Sequence, residues 1–351
     1  MKMSLFLDFD GTITTEDTVT HLANFALRFQ AERSGGGSNS RGDGTTQVDG
    51  ATSQVHQDGG GSGGGSGGGD GDGDGNNNRD DLSARWAAVV QAYVTEYKAH
   101  ATSYTPREAE RRHVDTEIAF LRSQKHVERA SLRRINQCAL FRGISAAAFR
   151  EGGRALARDG VVKLRPGFRR LVREALRRGW RVNVVSVNWS AAFIEGVCDC
   201  DCDGPTATGA GGIHVVANEV REHDGAVLGP GVLAGDGLLA DDEVEEACER
   251  TGRNLTNSCD KRDAVREVMR QQNTEDKPFF YCGDSTTDME CLLEATRGIV
   301  MADDESSTLI KTLRRLGKQV PHVRDAEAND RLVWASNFEE VLQHSVFGPS
   351  P

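Results

Sequence analysis

Residues 34–81 limit what this chain can fold into more than any other part of its sequence. They hold 18 of the 40 glycines and only three hydrophobic residues, Val48, Ala51 and Val55. Such a segment buries too little apolar surface to offset the conformational entropy lost on ordering, so we predict that it is a disordered insertion. The remaining residues have ordinary composition and are numerous enough to bury a sizeable core.

The charge of the chain argues against one broad class of partner. The 351 residues have a formal net charge of −11, and residues 34–81 contribute eight acidic residues against Arg41 and Arg79. Nucleic-acid binding depends on basic residues that displace counterions from phosphates. We therefore expect no nucleic-acid partner, and the acidity leaves protein partners and oligomeric state unknown.

The distribution of apolar residues and cysteines indicates a compartment. No run of 18 apolar residues is present, and an acidic motif directly follows the first residues, so we predict neither a membrane span nor a signal peptide. Eight cysteines without a small secreted framework indicate reduced thiols. We expect a cytoplasmic protein without a membrane partner. Cys198, Cys200 and Cys202 would share one face of a strand, which leaves metal binding there as an open question.

Strand and helix patterns alternate along the chain and indicate an α/β fold. Short apolar runs predict strands near 5–9, 181–186, 279–282, 299–301 and 320–323, and a β-hairpin from 213–217 and a run near Val227. Helical patterns cover 16–30, 82–98, 106–122, 125–138 and 144–158, and further helices are predicted after Pro166, Trp189, Asp260 and Gly283. Such alternation implies a Rossmann-like, doubly wound and mostly parallel sheet.

The helical segment 82–158 is basic, with 14 Lys plus Arg against seven Asp plus Glu. Two interpretations remain open. The charges belong to solvated helix faces, or they form a basic lid that attracts an anionic substrate.

Polar side chains follow the predicted strands at the point where each strand ends. The first strand leads to Asp8 and Asp10, the second to Ser186, and the strand at 279–282 to Asp284 and Asp288. Lys261 lies in the first turn of the helix near residue 260. In a parallel sheet these ends share one edge. Crowded carboxylates require a hard cation, and Mg²⁺ with a hydroxyl and a lysine suits a phosphoryl group.

Four of these segments resemble the motifs of haloacid dehalogenase superfamily phosphatases. Residues 8–14 (DFDGTIT) are similar to the first motif, Ser186 to the second, Lys261 to the third, and residues 283–288 (GDSTTD) to the fourth. The order and spacing agree over nearly the whole chain outside 34–81. The resemblance implies a catalytic core of residues 1–20 and 159–351 with an inserted α-helical cap of residues 21–33 and 82–158.

The resemblance also implies a role for each matching residue. Asp8 would be the nucleophile and Asp10 the general acid and base, while Ser186 and Lys261 would hold the phosphoryl oxygens. Asn188 is added to the expected substrate-binding residues. The metal ligands would be Asp8, the backbone carbonyl of Asp10, and Asp284, with support from Asp288.

The helical insertion after the first motif resembles the phosphoserine phosphatase-like branch. Phosphoserine phosphatases follow the second-motif serine with glycines, whereas Ser186 is followed by Val187, Asn188 and Trp189. This departure argues against phosphoserine as the substrate. The Ser-x-x-Trp pattern and residues 282–295 look closer to fungal and plant relatives, including plant thiamine monophosphate phosphatases. Trp189 either stacks on a substrate ring or packs in the core.

The sequence therefore predicts a Mg²⁺-dependent phosphomonoester hydrolase that acts on a small phosphorylated metabolite through an aspartyl-phosphate. Taken alone, Asp8-Phe9-Asp10 would also suit a strand-end turn or the metal motif of a glycosyltransferase. Dehalogenation is disfavoured because Asp10 supplies a second acid that a dehalogenase does not need. The alternative from another class is a catalytically weak interaction protein that holds phospho-ligands on the same fold.

Overall fold

The computed structural model describes residues 3–34, 77–199, 212–233 and 253–344. Its strands are β1 (Ser4–Leu7), β2 (Arg181–Val185), β3 (Ile213–Val216), β4 (Glu219–Val220), β5 (Val227–Leu228), β6 (Phe279–Gly283), β7 (Arg297–Met301) and β8 (Leu332–Ala335). Its helices are α1 (Val19–Ser34), α2 (Asn77–Ser103), α3 (Val114–Ser123), α4 (Lys125–Cys138), α5 (Ala146–Arg158), α6 (Phe168–Arg177), α7 (Ala191–Cys198), α8 (Ser258–Gln271), α9 (Met289–Glu294), α10 (Thr308–Arg315) and α11 (Phe338–Gln343).

Six strands form one parallel sheet in the order β3-β2-β1-β6-β7-β8. All four residues of β1 are buried, as expected for a central strand that is covered on both faces. Leu7 lies opposite Val184 of β2 on one side and Cys282 of β6 on the other. The chain order reverses at β1, and this switch point opens a crevice beyond the carboxyl ends of the strands. The predicted fold class is confirmed.

Helices α2 and α4 pack against each other above these strand ends. Trp86 and Val89 of α2 are buried in one cluster with Leu132 and Ile135 of α4. α2 begins at Asn77, so residues 77–81 are helical although they lie inside the range predicted to be disordered. Asp81 and Arg85, one helical turn apart, form an ion pair with 3.1 Å between Asp81 Oδ2 and Arg85 Nη2. The rest of that predicted insertion, 35–76, lies outside the described residues.

Helix α3 and the start of α4 pack against α8 and α9, beside the main sheet. Its Phe120 and Leu121 belong to a buried cluster that includes Val265 of α8. Arg122 Nη2 lies 2.7 Å from Glu290 Oε2, and Lys125 Nζ of α4 lies 3.0 Å from Asp260 Oδ1. Apolar burial and two ion pairs therefore hold α3 and the start of α4 against α8 and α9.

Helix α5, which the sequence places in the cap, packs against α7. The two helices can approach closely because Gly196 and Gly153 have no Cβ. A Cβ at Gly196 would clash with the backbone carbonyl of Arg150, and one at Gly153 would clash with that of Phe193. The division of the chain into core and cap remains a prediction.

Two strand predictions are wrong. β3 pairs in parallel with β2 as an edge of the main sheet, while the hairpin consists of β4 and β5. The open edge of β2 accepts β3 because α7 supplies the crossover that a parallel neighbour requires. The run at 320–323 makes only an isolated bridge at His322, and the sixth strand is β8.

Two further predictions concern membranes and cysteines. No helix within the described ranges combines the length and apolar content needed to cross a bilayer. Cys198 is buried at the end of α7, so it is helical and not part of a strand. Cys200 and Cys202 lie outside the described residues.

Candidate active site

Asp8 lies directly after β1, at the carboxyl edge of the sheet. Its backbone N–H donates to the carbonyl of Cys282 in β6 at 2.9 Å, which continues the parallel ladder by one residue. The residue is only 4% exposed. The central strand thus holds this carboxylate rigidly at the floor of the crevice.

Lys261 supplies a buried positive charge beside Asp8. It lies in the first turn of α8, where the Asn257 side chain caps the helix by accepting from the N–H of Asp260 at 3.2 Å. Lys261 Nζ is 2.8 Å from Asp8 Oδ1 and 2.7 Å from Asp288 Oδ1. Burial acts to lower the pKa of Lys261, but the charges of Asp288 and Asp8 outweigh it and raise that pKa. The ammonium therefore stays charged between the two carboxylates.

Asp8, Asp284 and Asp288 form an acidic cluster, in which one oxygen of each lies within 4.8 Å of the others. Burial and the charge of Asp288 raise the pKa of Asp8 well above its usual value, against the effect of Lys261. Burial and Asp288 also raise the pKa of Asp284 to about 7. One lysine thus leaves negative charge uncompensated. A compact set of carboxylate oxygens with excess charge fits a hard divalent cation such as Mg²⁺.

Asp288 is the most fully engaged member of this cluster. Its Oδ1 accepts from the Tyr281 hydroxyl at 2.7 Å, in addition to the Lys261 contact. Its Oδ2 accepts from the backbone N–H groups of Asp284 and Ser285, each at 3.2 Å. These bonds hold Asp288 to the loop that carries Asp284, and the expected supporting role of Asp288 stays a prediction.

The loop after β1 contacts Asp284 directly. Thr12 Oγ1 donates to Asp284 Oδ1 at 3.0 Å. Gly11 has φ +71°, and a Cβ at this position would lie 2.6 Å from Asp284 Cγ. Glycine is required here both by the left-handed backbone and by the approach of the carboxylate.

The Asp10 side chain turns away from the acidic cluster. Its Oδ1 accepts from the Thr18 backbone N–H at 2.8 Å and the Thr18 hydroxyl at 2.6 Å, and its Oδ2 accepts from Asn188 Nδ2 at 2.9 Å. Burial and the charge of Asp17 raise the pKa of Asp10 to about 6, although the Thr18 and Asn188 hydrogen bonds oppose this shift. A carboxyl with this pKa exchanges protons readily near neutral pH.

Ser186 and Asn188 follow β2 and are both fully buried. Ser186 Oγ accepts from the backbone N–H of Asn188 at 3.1 Å, and no described residue receives its proton. The Asn188 amide donates to Asp10 and, at 3.2 Å, to Thr18 Oγ1. The amide predicted to bind substrate thus contacts the Asp10 carboxylate.

Three residues that sequence reasoning missed organise the site. Arg165 donates to the carbonyls of Gly11 at 2.7 Å and Thr12 at 3.2 Å. Asn218 donates to the carbonyls of Val187, Asn188 and Leu255, and Tyr281 donates to Asp288. No local pattern marks any of them, although Arg165 directly precedes the Pro166 that was used to place a helix.

The strand ends and helices α2 and α4 enclose a cavity of about 470 Å³. Asp8, Asp10, Gly11 and Asp284 line its floor. Its roof comes from α2 and α4 and consists of Trp86, Val89, Val90, Tyr93, Glu128, Ser131, Leu132 and Ile135. No lysine or arginine of the described residues in 82–158 lines the cavity, so this lining does not support the basic-lid interpretation. The basic side chains of this segment instead include Arg122 and Lys125, which pair with acids of α8 and α9.

Solved structures that are similar to this chain include three that cover nearly its whole length. A phospho-aspartyl intermediate analogue of phosphoserine phosphatase is 11% identical, with a TM-score of 0.43 over 98% of this chain and 99% of that one. A substrate-bound phosphoserine phosphatase is 10% identical, with the same TM-score over 98% of each chain. A protein of unknown function from Bordetella pertussis Tohama I is 16% identical, with a TM-score of 0.43 over 91% of this chain and 98% of that one. A search of curated proteins finds no match.

The family model of the haloacid dehalogenase-like hydrolases matches residues 88–293, more than half of the chain. This range contains Ser186, Lys261, Asp284 and Asp288, and the structure places Asp8, from outside the range, beside Lys261, Asp284 and Asp288. The family resemblance seen in the sequence is therefore confirmed, and the chain belongs to the haloacid dehalogenase-like hydrolase family.

Proposed function

We propose that this hydrolase is a Mg²⁺-dependent phosphomonoesterase that acts on a small phosphorylated metabolite. The observation that carries the proposal is the buried Asp8 carboxylate, which contacts Lys261 and belongs to the acidic cluster. Asp10, two residues further on, has a pKa of about 6, which suits proton transfer. The proposed nucleophile and proton carrier thus line one cavity floor, and the positive charge lies directly against the nucleophile, as phosphoryl transfer requires.

The chain's own residues supply each step of the proposed reaction. An Asp8 oxygen attacks phosphorus and forms an aspartyl-phosphate, while protonated Asp10 gives its proton to the departing alcohol oxygen. The resulting Asp10 carboxylate then takes a proton from water, which attacks the aspartyl-phosphate and releases phosphate. Lys261 and the Ser186 hydroxyl hold the phosphoryl oxygens.

The metal has a defined place in this proposal. Asp8, the Asp10 carbonyl and Asp284 would hold Mg²⁺, and Asp288 would fix the Asp284 loop. When bound, Mg²⁺ would offset the negative charge of the phosphoryl oxygens.

In this proposal Asn188 positions the Asp10 carboxylate, in addition to making the expected contact with substrate. Together with Thr18 it fixes both oxygens of Asp10. These donors favour the ionised carboxylate and so keep the pKa of Asp10 from rising further.

The proposed function is tested by hydrolysis of p-nitrophenyl phosphate in MgCl₂ and in EDTA. We expect phosphate release only with the metal, and an acid-quenched phosphoenzyme that hydroxylamine cleaves, as an acyl phosphate requires. Equal rates in MgCl₂ and EDTA would contradict the metal requirement. Binding of phosphate esters without turnover would favour the interaction-protein alternative.

Asp284→Asn is expected to separate metal binding from stability. The change removes a proposed ligand and relieves repulsion in the acidic cluster, so the metal-free variant should be at least as stable as the wild type at pH 7.5. Mg²⁺ should stabilise the wild type by about 2.7 kcal/mol at a hundred times its Kd and should leave the variant unshifted. Thermal unfolding with and without MgCl₂ measures both effects.

Asp159→Asn is the matched control, because Asp159 is an exposed acid that pairs with Arg158. It should keep the wild-type response to Mg²⁺. A normal Mg²⁺ shift in Asp284→Asn would show that the metal binds elsewhere.

Thr18→Val is expected to move the basic limb of the kcat/KM pH profile to higher pH. The variant loses the hydroxyl donor that stabilises ionised Asp10, so the pKa of Asp10 rises and its acid form persists to higher pH. A hydrogen bond to a charged group contributes about 1.5 kcal/mol, so the limb should shift by roughly one unit. Thr274→Val, at a buried threonine that donates to the Met269 carbonyl, is the control. A shift to lower pH would contradict the proposed role of Asp10.

A further inference from the structure

The roof of the cavity lacks the positive charge that an anionic leaving group would require. Among the described lining residues the cations are Arg165 and Lys311. Arg165 is committed to the Gly11 and Thr12 carbonyls and to Asp303, and Lys311 is exposed on α10. A carboxylate or second phosphate on the leaving group would therefore lie against the roof without a counter-ion.

Carboxylates occupy the roof side of the cavity instead. Tyr93 OH of α2 donates to Glu128 Oε1 of α4 at 2.9 Å, and Asp17 also lines the cavity. Burial raises the pKa of the Tyr93 hydroxyl, and the charges of Glu128 and, to a smaller extent, Asp17 raise it further. Asp17 accepts from the Val19 N–H at 2.7 Å, and burial, opposed by this hydrogen bond, raises the pKa of Asp17, so a cation bound nearby would favour its ionised form.

Aromatic rings complete this part of the wall. Trp86 of α2 and Trp189, which follows β2, meet edge to face with ring centroids 6.0 Å apart. Trp189 also packs against Phe141 at 6.0 Å, so it both belongs to the core and lines the cavity. Aromatic rings attract cations through their negative faces, and the attraction grows when the site is desolvated.

We infer that the leaving group of the substrate is a compact alcohol with an apolar body and one positive charge. An alkylammonium or a heteroaromatic cation would meet this description. The inference rests on the proposed function and specifies its substrate class. The phosphoryl group would meet the floor, while the cationic end would meet Glu128, Asp17 and the tryptophans. A cavity of about 470 Å³ accommodates an ester of this size.

The test compares esters that differ only in the charge of the leaving group. Phosphocholine and 3,3-dimethylbutyl phosphate have the same shape, with a charged nitrogen in one and a carbon in the other. We expect kcat/KM with Mg²⁺ to be at least tenfold higher for phosphocholine. Phosphoserine and 3-phosphoglycerate, which carry carboxylates, should both be poorer substrates than the neutral ester.

Two neutralising variants test whether this preference comes from the acids that line the cavity. Glu128→Gln and Asp17→Asn keep shape and hydrogen-bond acceptors, and each should lower the phosphocholine to dimethylbutyl ratio at least fivefold. Glu151→Gln, at an exposed acid of α5 that pairs with Arg154, is the matched control and should leave the ratio unchanged. Circular dichroism and thermal unfolding confirm that each variant is folded.

The outcomes distinguish this inference from the proposed function. Asp8-dependent hydrolysis of both esters at equal kcat/KM, or a ratio that survives both neutralising variants, would overturn the inference alone. Absence of Asp8-dependent hydrolysis of any ester, p-nitrophenyl phosphate included, would overturn the proposed function and the inference with it.

Discussion

Asp8→Asn is expected to lower kcat for phosphate-ester hydrolysis by roughly four to six orders of magnitude, the scale seen when a catalytic nucleophile is removed. The amide has nearly the shape of the carboxylate but lacks the charge that attacks phosphorus. Lys261 keeps its second partner, Asp288, at 2.7 Å, so the variant should remain folded. Steady-state kinetics with p-nitrophenyl phosphate, together with the hydroxylamine assay for the phosphoenzyme, measures the effect.

The control for this variant is Asp159→Asn, which makes the same change on the surface and should keep full activity. Residual activity of Asp8→Asn within tenfold of the wild type would show that another residue attacks phosphorus.

Lys261→Met is expected to have the largest effect on stability as well as abolishing activity. The variant leaves Asp8 and Asp288 buried without the cation that lies between them, and losing one partner of a buried pair costs about 3–5 kcal/mol. Urea unfolding without metal should show this loss. Lys277→Met, at an exposed position, should leave the free energy of unfolding almost unchanged.

A double variant tests the reason for that loss. Lys261→Met with Asp288→Asn removes one of the two orphaned charges, so it should be more stable than Lys261→Met alone. If the second substitution destabilises further by its full single-variant amount, charge compensation is not what Lys261 provides.

The sequence was informative where chemistry is fixed by position along a strand. The ends of parallel strands meet at one edge, so Asp8, Ser186 and Asp284 could be grouped before any coordinates were known. Lys261 could be added because it lies in the first turn of a helix. The structure places Lys261 and Asp284 beside Asp8, as that reasoning expects.

The sequence was less informative where the direction of a side chain decides its contacts. The charge of segment 82–158 suggested a basic lid, but composition does not tell which helix face meets the cavity, and that face is apolar and acidic. Asn188 and Arg165 bond to groups far away in sequence, so no local pattern could reveal their partners. β8 was missed because four apolar residues after a polar loop carry little periodicity.

Two loops that are far apart in sequence meet where Gly11 lies against Asp284. The neighbouring Thr12, which is hydrogen-bonded to Asp284, is 272 residues away from it in sequence. Any side chain at position 11 would displace the Asp284 carboxylate. A change of sequence in one loop therefore requires a matching change in the other. In a chimera with a related hydrolase, the 8–12 and 283–288 loops must therefore be transplanted as a pair. The roof helices α2 and α4 make no part of that contact, so their exchange could alter substrate choice while the inherited chemistry stays intact.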